Sequence, residues 1–389
     1  MGEARCGTAD LPRRRICHIT TVHPWSDARI FNRMCAVLAQ RGHEVTLVAP
    51  VEAERVEQGV RLLPVGPPGK IRRQIHMPGL LRRLSRLDAE IYHFHDPELL
   101  PWMSVFHATS SSRRVVYDVH EYYPESAYTS NYFGWRPLSR MAGAVYAVAE
   151  PLLAQSLSAV VAVTPPIAER FTGGDARVAV VRNAARGNMP QLDLPDDMPS
   201  PRTIVLAGVM NEGRLMTQLL DALVILLPRW PDLHLLAIGD LLRDPYGQTL
   251  RTRASVFGIE DHITFRDRLP WDDLQRYLAA SVVGLVLLEE SENHRRALPN
   301  RMFEFMAVGV PIVSTDFTLL TDIIRSSRCG ILLSDDTPQA IAEGIEAILR
   351  DTDAAREMGA RGREAVQREH SLEVEISKLE ALYDAICRG

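Results

Sequence analysis

Lysine is nearly missing from this chain: two of its 44 basic residues, Lys70 and Lys378, are lysines and the rest are arginines. The bias points to a GC-rich genome, and it means that arginine stands where other proteins carry lysine. Cysteine is scarce as well. The five residues (Cys6, Cys17, Cys35, Cys329, Cys387) are scattered, with no CxxC pair and no disulfide-like spacing, which predicts a reducing, cytoplasmic setting. The first dozen residues lack an apolar h-region, so no signal peptide is expected. The longest apolar stretch, "MAGAVYAVAEPLLAQSLSAVVAV", is interrupted by Glu150, Pro151, Gln155 and two serines. It predicts a buried helix followed by a strand rather than a membrane span. There is no Walker A sequence and no GxGxxG, which removes most of the support for ATP or dinucleotide binding. A net charge of −5 gives no reason to expect nucleic acid as a partner.

What is present is an ordinary globular composition, 46% hydrophobic and 24% charged, on 389 residues, too many for one core. Short β-rich runs alternate with helical patterns from Ile16 onward: "ICHIT", "EVTLVAP", "EIYHFH", "RVVYDVH", "AVVAVT", "VAVVRN". The alternation stops at "ARGNMPQLDLPDDMPSPR" and restarts with "TIVLAG", "LHLLAIGD", "ITFRD", "VVGLVLLEE", "PIVST" and "GILLS". Such a series predicts an α/β protein with two doubly wound parallel sheets. The expected division is a flexible N-terminus (1–12), a first Rossmann-like domain (13–185), a linker (186–200), a second Rossmann-like domain (201–368) and a terminal helix (369–389) that packs back toward the first domain.

In such sheets ligands bind beyond the carboxyl ends of the strands. Polar residues fall there repeatedly: His23, Asp27 and Arg29; His95 and Asp96; Asp118, His120 and Glu121; Gly208 to Arg214; Gly239 with Asp240; and Glu289 to Glu292. "AGVMNEGRL" reads as a strand, a glycine turn and Arg214 at the opening of a helix, a geometry that suits a phosphate. "PNRMFE" offers a second cationic helix start, Arg301 beside a capping Asn300. In the same helix Glu304 sits in the expected first turn among large apolar neighbours. A carboxylate there needs strong donors, either ligand hydroxyls or Arg301. "YHFHDPELL" puts His93 and His95 on one strand face with no third metal ligand in view. Asp351 and Asp353 read as a helix cap and a solvated turn. The basic, amphipathic run 70–87 reads either as a solvated face or as a contact with a membrane or a lipid-linked acceptor.

Taken together, "HPWSDARIF", "HFHDPELLP", "VVYDVHEYYP" and "PNRMFEFMAVGVP", in this order over almost the whole chain, resemble the retaining glycosyltransferases of family 4. The resemblance implies the GT-B fold, with the two domains facing across a cleft. It implies roles residue by residue. Glu304 holds the ribose hydroxyls of a nucleotide. Arg214 and Arg301 face the donor phosphates, with Gly208, Pro299 and Asn300 completing the donor site. His120 approaches the transferred sugar, and Asp27, Arg29, His95, Asp96 and Glu121 belong to the acceptor side. The chain departs from the family at three points: Arg296 stands where a second glutamate is common, Val209 where a phosphate arginine is common, and the first loop lacks a glycine pair.

The expected activity is therefore a metal-independent, cofactor-free transfer from a UDP- or GDP-linked sugar to a hydroxyl acceptor in polysaccharide or glycoconjugate biosynthesis. A natural-product glycosyltransferase, a sugar-nucleotide epimerase and a non-catalytic partner in polysaccharide assembly are the alternatives.

Overall fold

The computed structural model describes residues 12–66, 69–125, 136–187, 189, 192–239 and 245–388. Asp240 and most of the expected flexible N-terminus lie outside the described residues. The chain forms two compact units, Met1–Arg182 with Glu375–Gly389, and Asn183–Val374.

In the first unit the elements are β1 Arg15–Ile19, a π-helical turn Ala28–Cys35 that runs into α1 Ala36–Gln40, β2 Glu44–Ala49, β3 Arg55–Glu57, β4 Val60–Pro64, α2 Lys70–Leu84, β5 Ile91–Phe94, α3 Leu100–Ala108, β6 Arg114–Val119, α4 Arg136–Ala154, β7 Ala159–Ala162 and β8 Arg177–Val180. The sheet order is β3-β4-β2-β1-β5-β6-β7-β8, parallel except for the β3–β4 hairpin. Ile16 pairs with Ile91 and His18 with His93 in parallel register, so histidines of adjacent strands stand side by side.

In the second unit the elements are β9 Arg202–Ala207, α5 Met216–Leu226, β10 Leu233–Ile238, α6 Pro245–Phe257, β11 Ile263–Arg266, α7 Trp271–Ala279, β12 Val283–Val286, α8 Asn300–Val308, β13 Ile312–Ser314, α9 Thr318–Ser327, β14 Gly330–Leu332, α10 Pro338–Leu349 and α11 Thr352–Glu369. All six strands are parallel in the order β11-β10-β9-β12-β13-β14, the doubly wound pattern. Central strands such as β10 are buried along their whole length, which is why they read as unbroken apolar runs.

Side-chain contacts define these units further. The stretch 186–200 belongs to the second unit and is tied to it: Asp197 accepts from Tyr277 Oη (2.6 Å) and Arg266 Nη2 (2.7 Å). The final helix, α12 Leu372–Arg388, joins the first unit from Glu375 onward. Its Tyr383 hydroxyl lies 2.5 Å from His93 Nδ1, and its Asp384 accepts from Arg14 at 2.9 Å. And α4, expected to be buried, turns Met141, Val145, Val148 and Leu152 outward. None of the helices among the described residues is long and apolar enough to cross a membrane.

Helix α8 is buried from Met302 to Val308, and a glycine in the sheet makes room for it. A Cβ on Gly284 of β12 would lie 2.4 Å from the Phe305 ring, far inside van der Waals contact. Gly284→Ala should therefore push α8 off the sheet and cost about 1–3 kcal/mol. The expected outcome is a thermal midpoint for the second unit lower by several degrees, read by calorimetry; an unchanged midpoint would mean that the helix shifts freely.

Candidate functional site

The first unit gathers polar side chains where its strand order reverses, between β1 and β5. Asp96, directly after β5, is buried and organises the turn after β1. It accepts from Thr20 Oγ1 at 3.0 Å, from Thr21 Oγ1 at 3.0 Å, from Val22 N at 3.3 Å, and from Thr21 N. Asp27 caps the π-helical turn, accepting from Arg29 N (2.8 Å) and Ile30 N (2.9 Å). Burial raises its pKa, but these backbone donors and His23 outweigh burial and hold the carboxyl below its ordinary value.

The π turn aims Arg29 inward. Its guanidinium grips Asp118 at the end of β6 with two bonds, Nε to Oδ2 at 3.0 Å and Nη2 to Oδ1 at 2.7 Å, and reaches the Val181 carbonyl at 3.1 Å. Asp118 Oδ2 also lies 2.7 Å from His120 Nε2 and 3.0 Å from His95 Nδ1, while His95 Nε2 is 3.0 Å from His18 Nδ1. Burial pushes the Asp118 carboxyl up, yet Arg29 and then His120 and His95 win and hold it well below the carboxylate range. His95 and Asp96 are fully buried and Arg29 nearly so, and all three act by holding other groups in place. The groups that reach the surface are His120, 12% exposed at its side chain, and His23, 35% exposed, with ring centroids 5.5 Å apart. Glu121 is exposed beside them.

Sequence reasoning left His23 out of the site and found no third metal ligand for His93 and His95. The structure supplies one: Asp118 joins them, with donor atoms all within 4.8 Å of one another. Most of those atoms are engaged, although His93 Nε2 is buried without a hydrogen-bond partner. Both Asp118 oxygens take the Arg29 fork, and His93 Nδ1 faces Tyr383. The cation beside Asp118 is a guanidinium, and the set fits a hydrogen-bond network better than an ion.

The second unit places its groups at the matching reversal, between β9 and β12. Gly208 ends β9 with φ +133°, a conformation L-residues rarely adopt, and starts the turn that leads to Arg214. Glu289 N donates to the Gly213 carbonyl at 2.9 Å and ties the loops after β9 and β12 together. At the start of α8 the cap position is Pro299, not Asn300, and Asn300 makes no capping bond. Glu304 falls in the second helical turn, past the reach of the helix dipole, and is 2% exposed. Its donor is Arg301 Nη1, one turn earlier. The acid is thus answered within its own helix.

The charges around it are not balanced. Among the described residues Arg214 has no acidic partner, and its pKa is lowered first by burial and then by the like charge of Arg301. Asn300 Oδ1 and Arg301 Nε are buried without a hydrogen-bond partner. Two guanidiniums and two unpaired polar atoms converge on one helix start, which is chemistry suited to an anion with hydroxyls. Of the departures, Val209 is exposed and Arg296 pairs with Glu292 of the short helix Glu292–Arg296. Asp351 caps α11, accepting from Ala354 N at 2.9 Å.

Comparison with known proteins now bears on this geometry. Residues 28–185 match the domain described as Glycosyltransferase Family 4, and residues 201–351 the domain described as Glycosyl transferases group 1. The chain is a glycosyltransferase of the family 4 type. The phosphatidyl-myo-inositol mannosyltransferase of Mycobacterium tuberculosis is 22% identical over 370 residues, 91% of each chain. The N-acetyl-alpha-D-glucosaminyl L-malate synthase of Bacillus anthracis is 29% identical over 157 residues, 40% of this chain and 39% of its own. Among solved structures, Anabaena HepE in complex with UDP-glucose superposes with a TM-score of 0.72 at 14% identity, covering 96% of this chain and 100% of its own. Sucrose-phosphate synthase from Thermosynechococcus elongatus gives 0.72 at 17%, covering 96% and 99%. The fold of this glycosyltransferase is GT-B.

The histidine cluster carries a pH consequence. Burial, reinforced by neighbouring imidazoles, holds His18 and His93 well below the ordinary histidine value, and burial lowers His95 against the pull of Asp118. The unfolded chain takes up these protons below about pH 6.5 and the native state does not. The stabilisation is complete above that pH and is lost as pH falls, by up to about 1.4 kcal/mol per pH unit for each histidine. Urea unfolding of the first unit should show a markedly lower midpoint at about pH 5 than at about pH 7.5. Equal midpoints would mean that the cluster is protonated in the native state.

Proposed function

We propose that this glycosyltransferase uses a nucleotide-diphosphate sugar, UDP- or GDP-linked, and transfers the sugar to a hydroxyl acceptor with retention, without a metal ion or other cofactor. One observation carries the reading: among the described residues Arg214 and Arg301 converge with no carboxylate for Arg214, beside the unpartnered Asn300 Oδ1 and Arg301 Nε. A diphosphate supplies the missing negative charge, and a ribose supplies hydroxyls for Asn300 and Glu304. The two guanidiniums take the part that a divalent cation plays elsewhere, and this supports metal independence. HepE, described with bound UDP-glucose, supports the donor class. The mycobacterial relatives, named for transfer to phosphatidyl-myo-inositol, support a lipid-linked acceptor in glycoconjugate or polysaccharide synthesis. Such an enzyme would work in the cytoplasm at the inner membrane face, with residues 70–87 as a contact.

In this scheme the bond between the anomeric carbon and the phosphate oxygen breaks, and its electron pair leaves with the diphosphate. Arg214, Arg301 and the N-terminus of α8 stabilise that charge. The acceptor oxygen forms the new bond on the face the leaving group vacates, and its proton passes to a phosphate oxygen. No protein nucleophile is used. Asp118 holds His120 by Nε2, which in this scheme leaves the other ring nitrogen for the sugar or its phosphate.

The two arginines give different signatures. Removing Arg214 also removes a like-charge repulsion, so Arg214→Ala should keep or raise the melting temperature of the free protein. Its catalytic efficiency should fall by about 2–4 kcal/mol, with partial recovery in Arg214→Lys. Arg301→Ala takes away the guanidinium that pairs with buried Glu304, so it should lose both activity and several degrees of melting temperature. If Arg214→Ala turns over a nucleotide sugar as fast as the parent, the phosphate site is elsewhere. Activity should also survive exhaustive dialysis against EDTA; loss that Mg²⁺ or Mn²⁺ restores would replace the metal-free reading.

A further inference from the structure

We propose that the outer face of helices α2, α3 and α4 docks on an anionic lipid surface, with α4 as its apolar anchor. The three helices cover one face of the first sheet over a shared core, with α3 between the other two. Trp102 Nε1 of α3 donates to Gln74 of α2 at 2.9 Å. Six large apolar side chains point away from that core: Ile75 on α2, Val105 on α3, and Met141, Val145, Val148 and Leu152 on α4, each 58–70% exposed. The α4 residues recur at steps of four, three and four, so they form one stripe, with exposed Ala144 and Ala147 alongside. A contiguous apolar patch on this scale marks an interaction surface.

Charge decides what covers it. Between Met141 and Leu152 the one charged residue is Glu150, which is buried and held by the Tyr117 hydroxyl and Arg170, each at 2.8 Å. The α2 sequence contains no acid at all. Arg72, Arg82 and Arg86 are exposed and have no acidic partner among the described residues. Arg82 and Arg86 follow Ile75 by seven and eleven positions and share its side of the helix path. Apolar side chains with an arginine rim and no exposed acid on the three helices, on a protein of net charge −5, match an interface between lipid headgroups and acyl chains. A second copy of the chain fits less well. Self-pairing sets arginine rims against each other, and a single helix stripe falls short of the roughly 800 Å² per partner of a stable interface.

The proposal deepens the membrane-face reading above by naming its anchor and its lipid charge. Its test uses no sugar transfer, so it can fail or succeed apart from the donor chemistry. The full chain is sedimented with vesicles of phosphatidylcholine, alone or mixed with phosphatidylglycerol. Binding is expected for the mixed vesicles only, and it should weaken about tenfold or more in V145D/V148D and in R72E/R82E. Val145→Ser with Val148→Ser, a milder change at the same exposed positions, should weaken it less, with all variants keeping the parent melting temperature. The proposal is overturned if the parent ignores both vesicles or if the variants bind as well as the parent. It is equally overturned if light scattering finds a dimer that V145D/V148D separates.

Discussion

The bidentate pair between Arg29 and Asp118 is what the first unit's polar interior depends on. Taking a carboxylate and a guanidinium out of water costs several kcal/mol apiece, and an ion pair offsets that only when the remaining lone pairs and protons are also satisfied. Here they are. Asp118 gives one oxygen to Arg29 alone and shares the other among Arg29, His95 and His120. Arg29 spends a further proton on the Val181 carbonyl. Because the fork fixes the carboxylate in two directions, Oδ2 becomes a rigid point that orients His120 at the surface. The π-helical turn belongs to the same device. An extra residue in the turn re-aims Arg29 toward the sheet, and Asp27 caps the start of that turn.

The second unit treats charge in the opposite way. Glu304 has its arginine, but among the described residues Arg214 is left with a like-charged neighbour and no acid, and Asn300 and Arg301 each keep a buried polar atom unpaired. A fold that neutralises Asp118 so thoroughly in one sheet does not leave such an imbalance in the other for stability. On the proposed reading the imbalance is electrostatic work done in advance, recovered when the donor's diphosphate binds. The near-absence of lysine sharpens it, since a planar guanidinium can hold two phosphate oxygens at fixed geometry where an ammonium holds one point.

Much of this was legible in the sequence, and the failures are instructive. The alternation of apolar runs and helical periods located all six strands of the second sheet, most plainly the central ones, because strands buried on both faces carry no ambiguity of face. Glu304 stood out as an acid in an apolar helix, yet its place was misjudged by one turn: Pro299 takes the cap position that Asn300 was expected to fill. Cap geometry depends on backbone angles that residue type only biases. Asp118 was missed as the partner of His93 and His95 because it comes from another strand, 23 residues beyond His95. Only the sheet order brings them together. For α4, periodicity showed an apolar helix and could not show that four of its apolar residues are 60–64% exposed.

Both clusters form where strand order reverses, and the reason is geometric. At β1/β5 and at β9/β12 the chain leaves adjacent strands toward opposite faces of the sheet, so the two loops diverge and open a crevice at the strand ends. A crevice lined by loops exposes backbone groups that no sheet neighbour can satisfy. In the first unit Asp96 supplies that need, binding the turn after β1 through several donors at once. In the second, a backbone bond from Glu289 to Gly213 joins the two loops. The first crevice is closed by its own acid, whereas the second keeps Arg214 without an acid among the described residues. The same topology thus yields a rigid histidine platform in one unit and an anion-seeking helix start in the other, and the difference lies in where the carboxylates were placed.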